Sequence, residues 1–354
     1  MFLELSFICF FSFASLFLMR KVAKAIGLVD KPNERKLHNG AVPLVGGIAT
    51  SLSIGQFLIT HPDVISHSQL FLISIVALII VGALDDKFDI SFKIRLVVQA
   101  LLSISMMYFA DLRLENIGNI FGTGELHLGV ISPAVTILAV IGAINAFNMV
   151  DGIDGLLGGL AIVTFVGIAI LLNIDSQNGL AYLCLVFIAA IIPYILMNLG
   201  ILGRKRKVFM GDAGSMMIGF TVIWLLLDAS QNPSQTMIRP ITALWLIAVP
   251  LIDMAAIMFR RIRRGDSPFK PDREHLHHIF QRLGYTPRKT LVIICFIASS
   301  FASFGILGEL FKIAESVMFT LFIICFVSYT VAISYIWRIT RWIRRHRNLS
   351  EKVY

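Results

Sequence analysis

Apolar runs long enough to cross a bilayer recur along almost the whole chain, and no other feature constrains its fold as tightly. A spanning helix needs about 20 predominantly apolar residues. Such runs fall near residues 1–19, 43–61, 69–84, 94–110, 132–147, 156–173, 180–200, 213–229, 240–259, 290–308 and 315–337. The pattern predicts an all-α, polytopic integral membrane protein of about eleven transmembrane helices, built as a single domain over residues 1–354. Composition agrees: 57% of the residues are hydrophobic and 15% charged, where soluble domains hold about 25% charged residues. The first run lacks a basic stretch ahead of it and is followed by Arg20, Lys21 and Lys24. That is the reverse of a cleaved signal, so it reads as a retained span. Cys9, Cys184, Cys295 and Cys325 lie within apolar runs without CxxC spacing, and imply no disulfide framework.

The basic residues then orient the bundle. Of 31 Lys and Arg residues, 28 fall on alternate connections, within residues 20–36, 87–95, 204–207, 260–289 and 338–352, leaving Arg113, Arg239 and Lys312 for the other side. Cytoplasmic loops carry the excess of Lys and Arg, which predicts a periplasmic N-terminus and a cytoplasmic C-terminus. The net charge of +9 follows from this asymmetry and from contact with anionic headgroups, so no nucleic-acid partner is implied. The opposite loops are short and chemically plain, and no tandem repeat or soluble domain is evident.

Unusual polar residues gather on the basic side. NAFNMVDGIDG, residues 145–155, brings Asn145, Asn148, Asp151 and Asp154 to the mouth of an apolar helix. Acids at membrane depth usually line a wet, functional space; the alternative is a glycine-rich turn with one N-capping Asp. In GALDDKFDI, the adjacent Asp85 and Asp86 repel one another unless a cation lies between them, which favours a hard divalent ion; the alternative is a solvated helix end balanced by Lys87. VFMGDAGS, residues 208–215, places Asp212 where a helix starts, so that free N–H groups could meet a phosphate or Asp212 could simply cap. The loop of residues 260–289 groups Arg260, Arg261, Arg273, His275, His277 and His278. Phosphate contact, a solvated basic loop and a zinc site remain open there, the zinc site being poorly served without Cys. Helical spacing puts His275 and His278 on one face, and Pro268 and Pro271 argue against one continuous helix. Asp253, within the ninth run, is read as structural support for Arg260 or Arg261. Arg35, Lys36 and His38 either meet phosphate or enforce topology. Acids for a metal beside basic groups for phosphate point to phosphoryl chemistry, and the absence of GxxxxGK[ST] removes the obvious signature of ATP hydrolysis.

DD at 85–86, NMVDGIDG at 148–155, VFMGDAGS at 208–215 and SPFKPDREHLHH at 267–278 resemble, as an ordered set, the polyprenyl-phosphate N-acetylhexosamine-1-phosphate transferases. The likeness is greatest to the branch that starts O-antigen and enterobacterial common antigen (lipopolysaccharide) synthesis. The resemblance implies transfer of GlcNAc 1-phosphate from UDP-GlcNAc to undecaprenyl phosphate, releasing UMP, at the cytoplasmic face of a bacterial inner membrane. It implies a Mg²⁺ cofactor, with Mn²⁺ able to replace it, held by Asp212 with Asp85 and Asp86. Asp85, as proton acceptor or orienting base, Asp86, Asp151 and Asp154 match catalytic acids. Asn148, Asn198, Phe209 (as a stack for uracil), Arg260, Arg261, Arg273, His275, His277 and His278 match substrate contacts. Membrane lipid surrounds the protein, and a homodimer is left open. HLHH and VPLVGG depart from the muramoyl-pentapeptide phosphotransferase branch, which is the alternative within the family. A secondary transporter is the alternative outside it.

Overall fold

The computed structural model describes residues 1–31, 40–174, 178–231, 238–268, 274–336, 340 and 346. Arg35, Lys36, His38, Pro271, Asp272 and Arg273 lie outside the described residues. The helices are α1 (Phe2–Ile26), α2 (Gly46–Thr60), α3 (Ser68–Phe88), α4 (Phe92–Ala110), α5 (Ser132–Met149), α6 (Leu156–Ile174), α7 (Asn178–Asn198), α8 (Gly211–Gln231), α9 (Pro240–Leu246), α10 (Ala248–Arg263), α11 (Leu276–Arg282), α12 (Pro287–Leu310) and α13 (Glu315–Ser334). Two-residue strands, β1 (Val29–Asp30) and β2 (Val42–Pro43), pair antiparallel. Among the described residues nine helices are long and apolar enough to cross a membrane, and α9 with α10 forms a bent pair that makes a tenth if counted as one crossing. The protein is therefore a multi-pass, all-α membrane protein. Each of the eleven apolar runs contains a helix, although α2, at 15 residues, is shorter than an ordinary span.

α8 is the hub. It is enclosed by protein over its apolar length, whereas α1, α4 and α13 keep most of their surface outward. Apolar side chains gain little by leaving lipid for protein, so helices in a membrane associate through close packing and small residues. Gly47 of α2 and Gly82 of α3 meet that need: a Cβ on either would overlap the α8 backbone at Gly214 or Ala213. α2 is also hydrogen-bonded to the lead-in of α8. The N–H groups of Val45 and Gly46 donate to the Phe209 carbonyl at 3.2 and 2.9 Å, and that of Gly47 donates to Met210 at 3.0 Å. Further along α8, the rings of Phe220 and Trp224 pack against Phe71 of α3.

Two predicted spans are corrected. The third continues to Phe88, so Asp85 and Asp86 are part of its last helical turn. The ninth is not one helix: α9 and α10 meet at 84°. Pro250 explains the break, because proline cannot donate to the carbonyl four residues back and clashes with it. That carbonyl, of Leu246, accepts from the Thr164 hydroxyl at 3.2 Å instead.

Candidate active site

The N-terminal end of α8 gathers the acids. Successive helical side chains point about 100° apart, so the adjacent Asp85 and Asp86 diverge. Asp86 turns to the start of α8, where its carboxylate accepts from the backbone N–H of Asp212 at 3.0 Å and of Ala213 at 3.5 Å. This corrects the reading of those N–H groups as free for phosphate: Asp86 caps α8 from another helix. Asp85 turns the other way, to Arg95 on the first turn of α4. One nitrogen of Arg95, Nη1, donates to Asp85 Oδ2 at 2.6 Å and to Asp212 Oδ2 at 3.1 Å. Asn148, at the end of α5, donates through Nδ2 to Asp212 Oδ1 and to Ser215 Oγ, both at 2.8 Å. Asp212 is thus fixed on both oxygens while its side chain remains 36% exposed.

A second cluster adjoins it. Asn198, at the end of α7, accepts from the Gly155 N–H at 2.5 Å and donates to the Val208 carbonyl at 2.8 Å. It uses both ends of its amide to join the 150–155 turn to the lead-in of α8. The two segments are further tied by Asp154 and Lys207, paired at 2.7 Å. The Lys207 ammonium also lies 5.0 Å from the centre of the Phe209 ring. Asp151 is exposed on the turn between α5 and α6. The surrounding protein, with the negative charges of Asp212 and Asp154, pushes its carboxyl up to about 7.

The histidine segment leans on this turn. His277 packs against Gly152 so closely that a Cβ there would overlap the imidazole. Burial, reinforced by His278 and His275, lowers His277 to about 3, so it is neutral at physiological pH. His275 precedes α11 rather than sharing a helical face with His278, and its ring is parallel to that of His277. His277 and His278 rings lie 4.1 Å apart. Asp253 is also corrected. It pairs with neither Arg260 nor Arg261; it accepts from the Tyr329 hydroxyl at 2.5 Å, lies 2.8 Å from His275 Nδ1 and receives the Leu276 N–H at 3.1 Å. Arg260 instead pairs with Glu274 at 3.1 Å, and Arg261 donates to the Pro268 carbonyl at 2.5 Å.

Among the described residues no three His, Cys, Asp or Glu side chains converge as a metal-holding group, and His275 Nδ1 faces Asp253 rather than the other two imidazoles. Two carboxylate oxygens, Asp85 Oδ2 and Asp212 Oδ2, do converge on one point, marked by Arg95 Nη1. Hard oxygens in that number suit Mg²⁺, which takes one or two carboxylates and completes its shell with water and phosphate oxygens. Sequence reasoning missed Arg95 and Lys207, counting both as topology charges. The sole hint for Lys207 was its place directly before VFMGD.

Fold and site together define a multi-pass, all-α membrane protein with a cluster of acids and flanking basic groups at one end of its central helix, a site suited to group transfer between charged substrates. The profile of glycosyl transferase family 4 matches residues 68–230, which spans α3 to α8 and both acidic clusters. The undecaprenyl-phosphate alpha-N-acetylglucosaminyl 1-phosphate transferase of Yersinia pestis is 54% identical over 97% of this chain and 94% of its own length. Proteins of the same name are 52% identical in Escherichia coli strain K12, over 96% and 93% of the two chains, and 51% identical in Pasteurella multocida, over 97% and 96%. The chain belongs to glycosyl transferase family 4 and is a transferase.

Proposed function

We propose that this enzyme transfers N-acetylglucosamine 1-phosphate from UDP-GlcNAc to undecaprenyl phosphate, forming undecaprenyl-diphospho-GlcNAc and UMP. The observation that carries the reading is the convergence of Asp85, Asp212, Asn148 and Arg95 beside the Asp154–Lys207–Phe209 cluster. The name shared by the relatives supports the lipid acceptor and the sugar 1-phosphate. The reaction proceeds in the bacterial inner membrane with the acidic end of α8 facing the cytoplasm, and begins O-antigen or enterobacterial common antigen (lipopolysaccharide) synthesis.

An oxygen of the lipid phosphate attacks the β-phosphorus of UDP-GlcNAc. The bond from that phosphorus to the bridging oxygen breaks, UMP leaves with the electron pair, and the sugar C1–O bond is untouched. One diphosphate linkage replaces another, so no ATP is needed. Asp85 takes the proton of the attacking phosphate. Asp85 and Asp212 would hold the Mg²⁺, for which Mn²⁺ could substitute, and the ion would supply withdrawal of charge from the phosphate oxygens. Asn148 orients Asp212, and Asp86 fixes the start of α8 on which Asp212 rides. Phe209 offers a flat face to uracil, Lys207 a cation to the diphosphate, and Asp151 and Asp154 shape the nucleotide side. His275, oriented by Asp253, with His277 and His278, provides imidazole contacts to phosphate or sugar. Arg260 and Arg261 brace this loop, and Arg273 adds a guanidinium.

The test is UMP release by purified protein in detergent. Release that requires undecaprenyl phosphate and UDP-GlcNAc and stops with EDTA supports the reading. Release from the muramoyl-pentapeptide nucleotide alone overturns the donor assignment, and no release from either donor by folded protein overturns the reaction.

A further inference from the structure

We propose that Arg95 is an exchangeable counter-ion of the catalytic acids: a divalent ion displaces it from between Asp85 and Asp212, and it then receives the phosphate of the lipid acceptor. This rests on the metal-dependent reaction proposed above.

The first half follows from geometry. The point that both Oδ2 atoms face, 2.6 Å from Asp85 and 3.1 Å from Asp212, is the position of Arg95 Nη1. A metal ion bound to both oxygens needs the same point, and two cations cannot share it, so ion binding and the Arg95 bridge exclude one another. The bridge compensates two carboxylates that would otherwise repel across the joint between α3 and α8. It also lowers apparent metal affinity, because the binding-competent arrangement is a fraction of the population.

The second half follows from where Arg95 stands. It lies on the first turn of α4, a largely outward-facing span, between exposed Ile94 and Val97. The side chain is 23% exposed, and Nη1 makes both of its contacts with the acids. Nε and Nη2 therefore remain to form the planar fork that grips phosphate through two parallel hydrogen bonds. A long stem lets such a side chain lie along apolar surface with its head at the polar boundary. A phosphate arriving from the lipid side meets Arg95 before the acids. A nucleotide arriving from water is offered Lys207 and Phe209, where Lys207 pairs with Asp154 rather than with Asp85 or Asp212. Arg95 is thereby assigned to the lipid acceptor rather than to the sugar nucleotide.

The experiment uses the full-length protein in detergent as wild type, Arg95→Gln and Arg95→Lys. Two quantities are read: the Mg²⁺ concentration that half-saturates thermal stabilisation without substrates, and separate KM values for undecaprenyl phosphate and UDP-GlcNAc. In Arg95→Gln the half-saturating Mg²⁺ falls about tenfold, because the competitor is gone. KM for undecaprenyl phosphate rises about tenfold, while KM for UDP-GlcNAc stays within about twofold, from loss of a charge-assisted phosphate contact. Arg95→Lys keeps the charge without the fork, so Mg²⁺ half-saturation stays near wild type while the lipid KM defect persists; this variant also serves if Arg95→Gln does not fold. Unchanged or weaker Mg²⁺ binding in Arg95→Gln overturns the exchange, and an equal rise in both KM values overturns the lipid assignment. A wild type with no Mg²⁺ stabilisation overturns the metal reading and the exchange with it. A normal wild-type response matched by indistinguishable variants overturns the exchange alone.

Discussion

Ion-pair clusters stand at both ends of α8, and they differ in how fully they are closed. At the C-terminal end, the Arg239 side chain donates to Glu309 Oε1 at 3.0 Å, the Ile313 carbonyl at 2.7 Å and the Gly308 carbonyl at 2.6 Å. Glu309 also accepts from the buried Thr242 hydroxyl at 2.6 Å. That network corrects the expectation that the loops at this end are chemically plain; it joins the loop after α12 to the start of α9. At the N-terminal end the charges are fixed with equal care but left accessible: Asp212 and Asp154 are 36% and 38% exposed. Saturated contacts strengthen a joint, while oriented yet accessible carboxylates await a further ligand. The comparison separates structural from chemical charge in a membrane protein, where any acid at depth invites a functional reading.

The largest expected effect tests the open end. Asp212→Asn lowers UMP release by at least about a hundredfold, the scale of losing one preorganised electrostatic contact to a transition state, with the thermal midpoint nearly unchanged. Turnover close to wild type breaks the assignment. Next, Gly152→Ala drives a methyl into His277, and a displacement of that size in a supporting group lowers turnover about ten- to hundredfold. Circular dichroism reports whether the helices persist; full activity would mean that the histidine segment does not need its seat on the acidic turn. At the closed end, Arg239→Ala is expected to destabilise by about 1–3 kcal/mol through the acceptors left unpaired, read as a lower unfolding midpoint in detergent. Turnover per folded molecule stays within about twofold, and a selective loss of turnover would erase the contrast between the ends.

The smallest effect is pH-dependent. His277 is held below the ordinary imidazole value, down to about 3, so the unfolded chain takes up a proton that the folded one refuses. Its stabilising contribution is present above about 6.5 and is lost as pH falls towards 3. Midpoints measured at pH 7.5 and 5.0 should therefore converge in His277→Asn relative to wild type, and an unchanged gap would refute the assignment.

The spans were legible because hydropathy is written in one dimension, and the acidic motifs because clustered carboxylates are rare among apolar runs. Pro250 carried the signal for the bend between α9 and α10, masked by apolar residues on both sides. Partnerships were not legible. Asp253 finds His275 across a loop that brings α10 back on itself, while the nearer Arg260 and Arg261 point to Glu274 and Pro268. Asp85 and Asp86 look like one unit in sequence, and their divergence depends on α3 continuing through them and on where α8 begins. Arg95 and Lys207 are indistinguishable from topology charges until the fold sets them against Asp85, Asp212 and Asp154. Composition reports how much charge a face carries, and only packing reports what each charge meets.

The most direct test of the contrast is electron paramagnetic resonance of Mn²⁺ with UDP-GlcNAc, comparing wild type, Asp212→Asn and Arg239→Ala in detergent. The account predicts protein-bound Mn²⁺ in wild type and Arg239→Ala and its loss in Asp212→Asn. Equal Mn²⁺ binding by all three, or loss in Arg239→Ala alone, would contradict the placement of the catalytic site at the open end of α8.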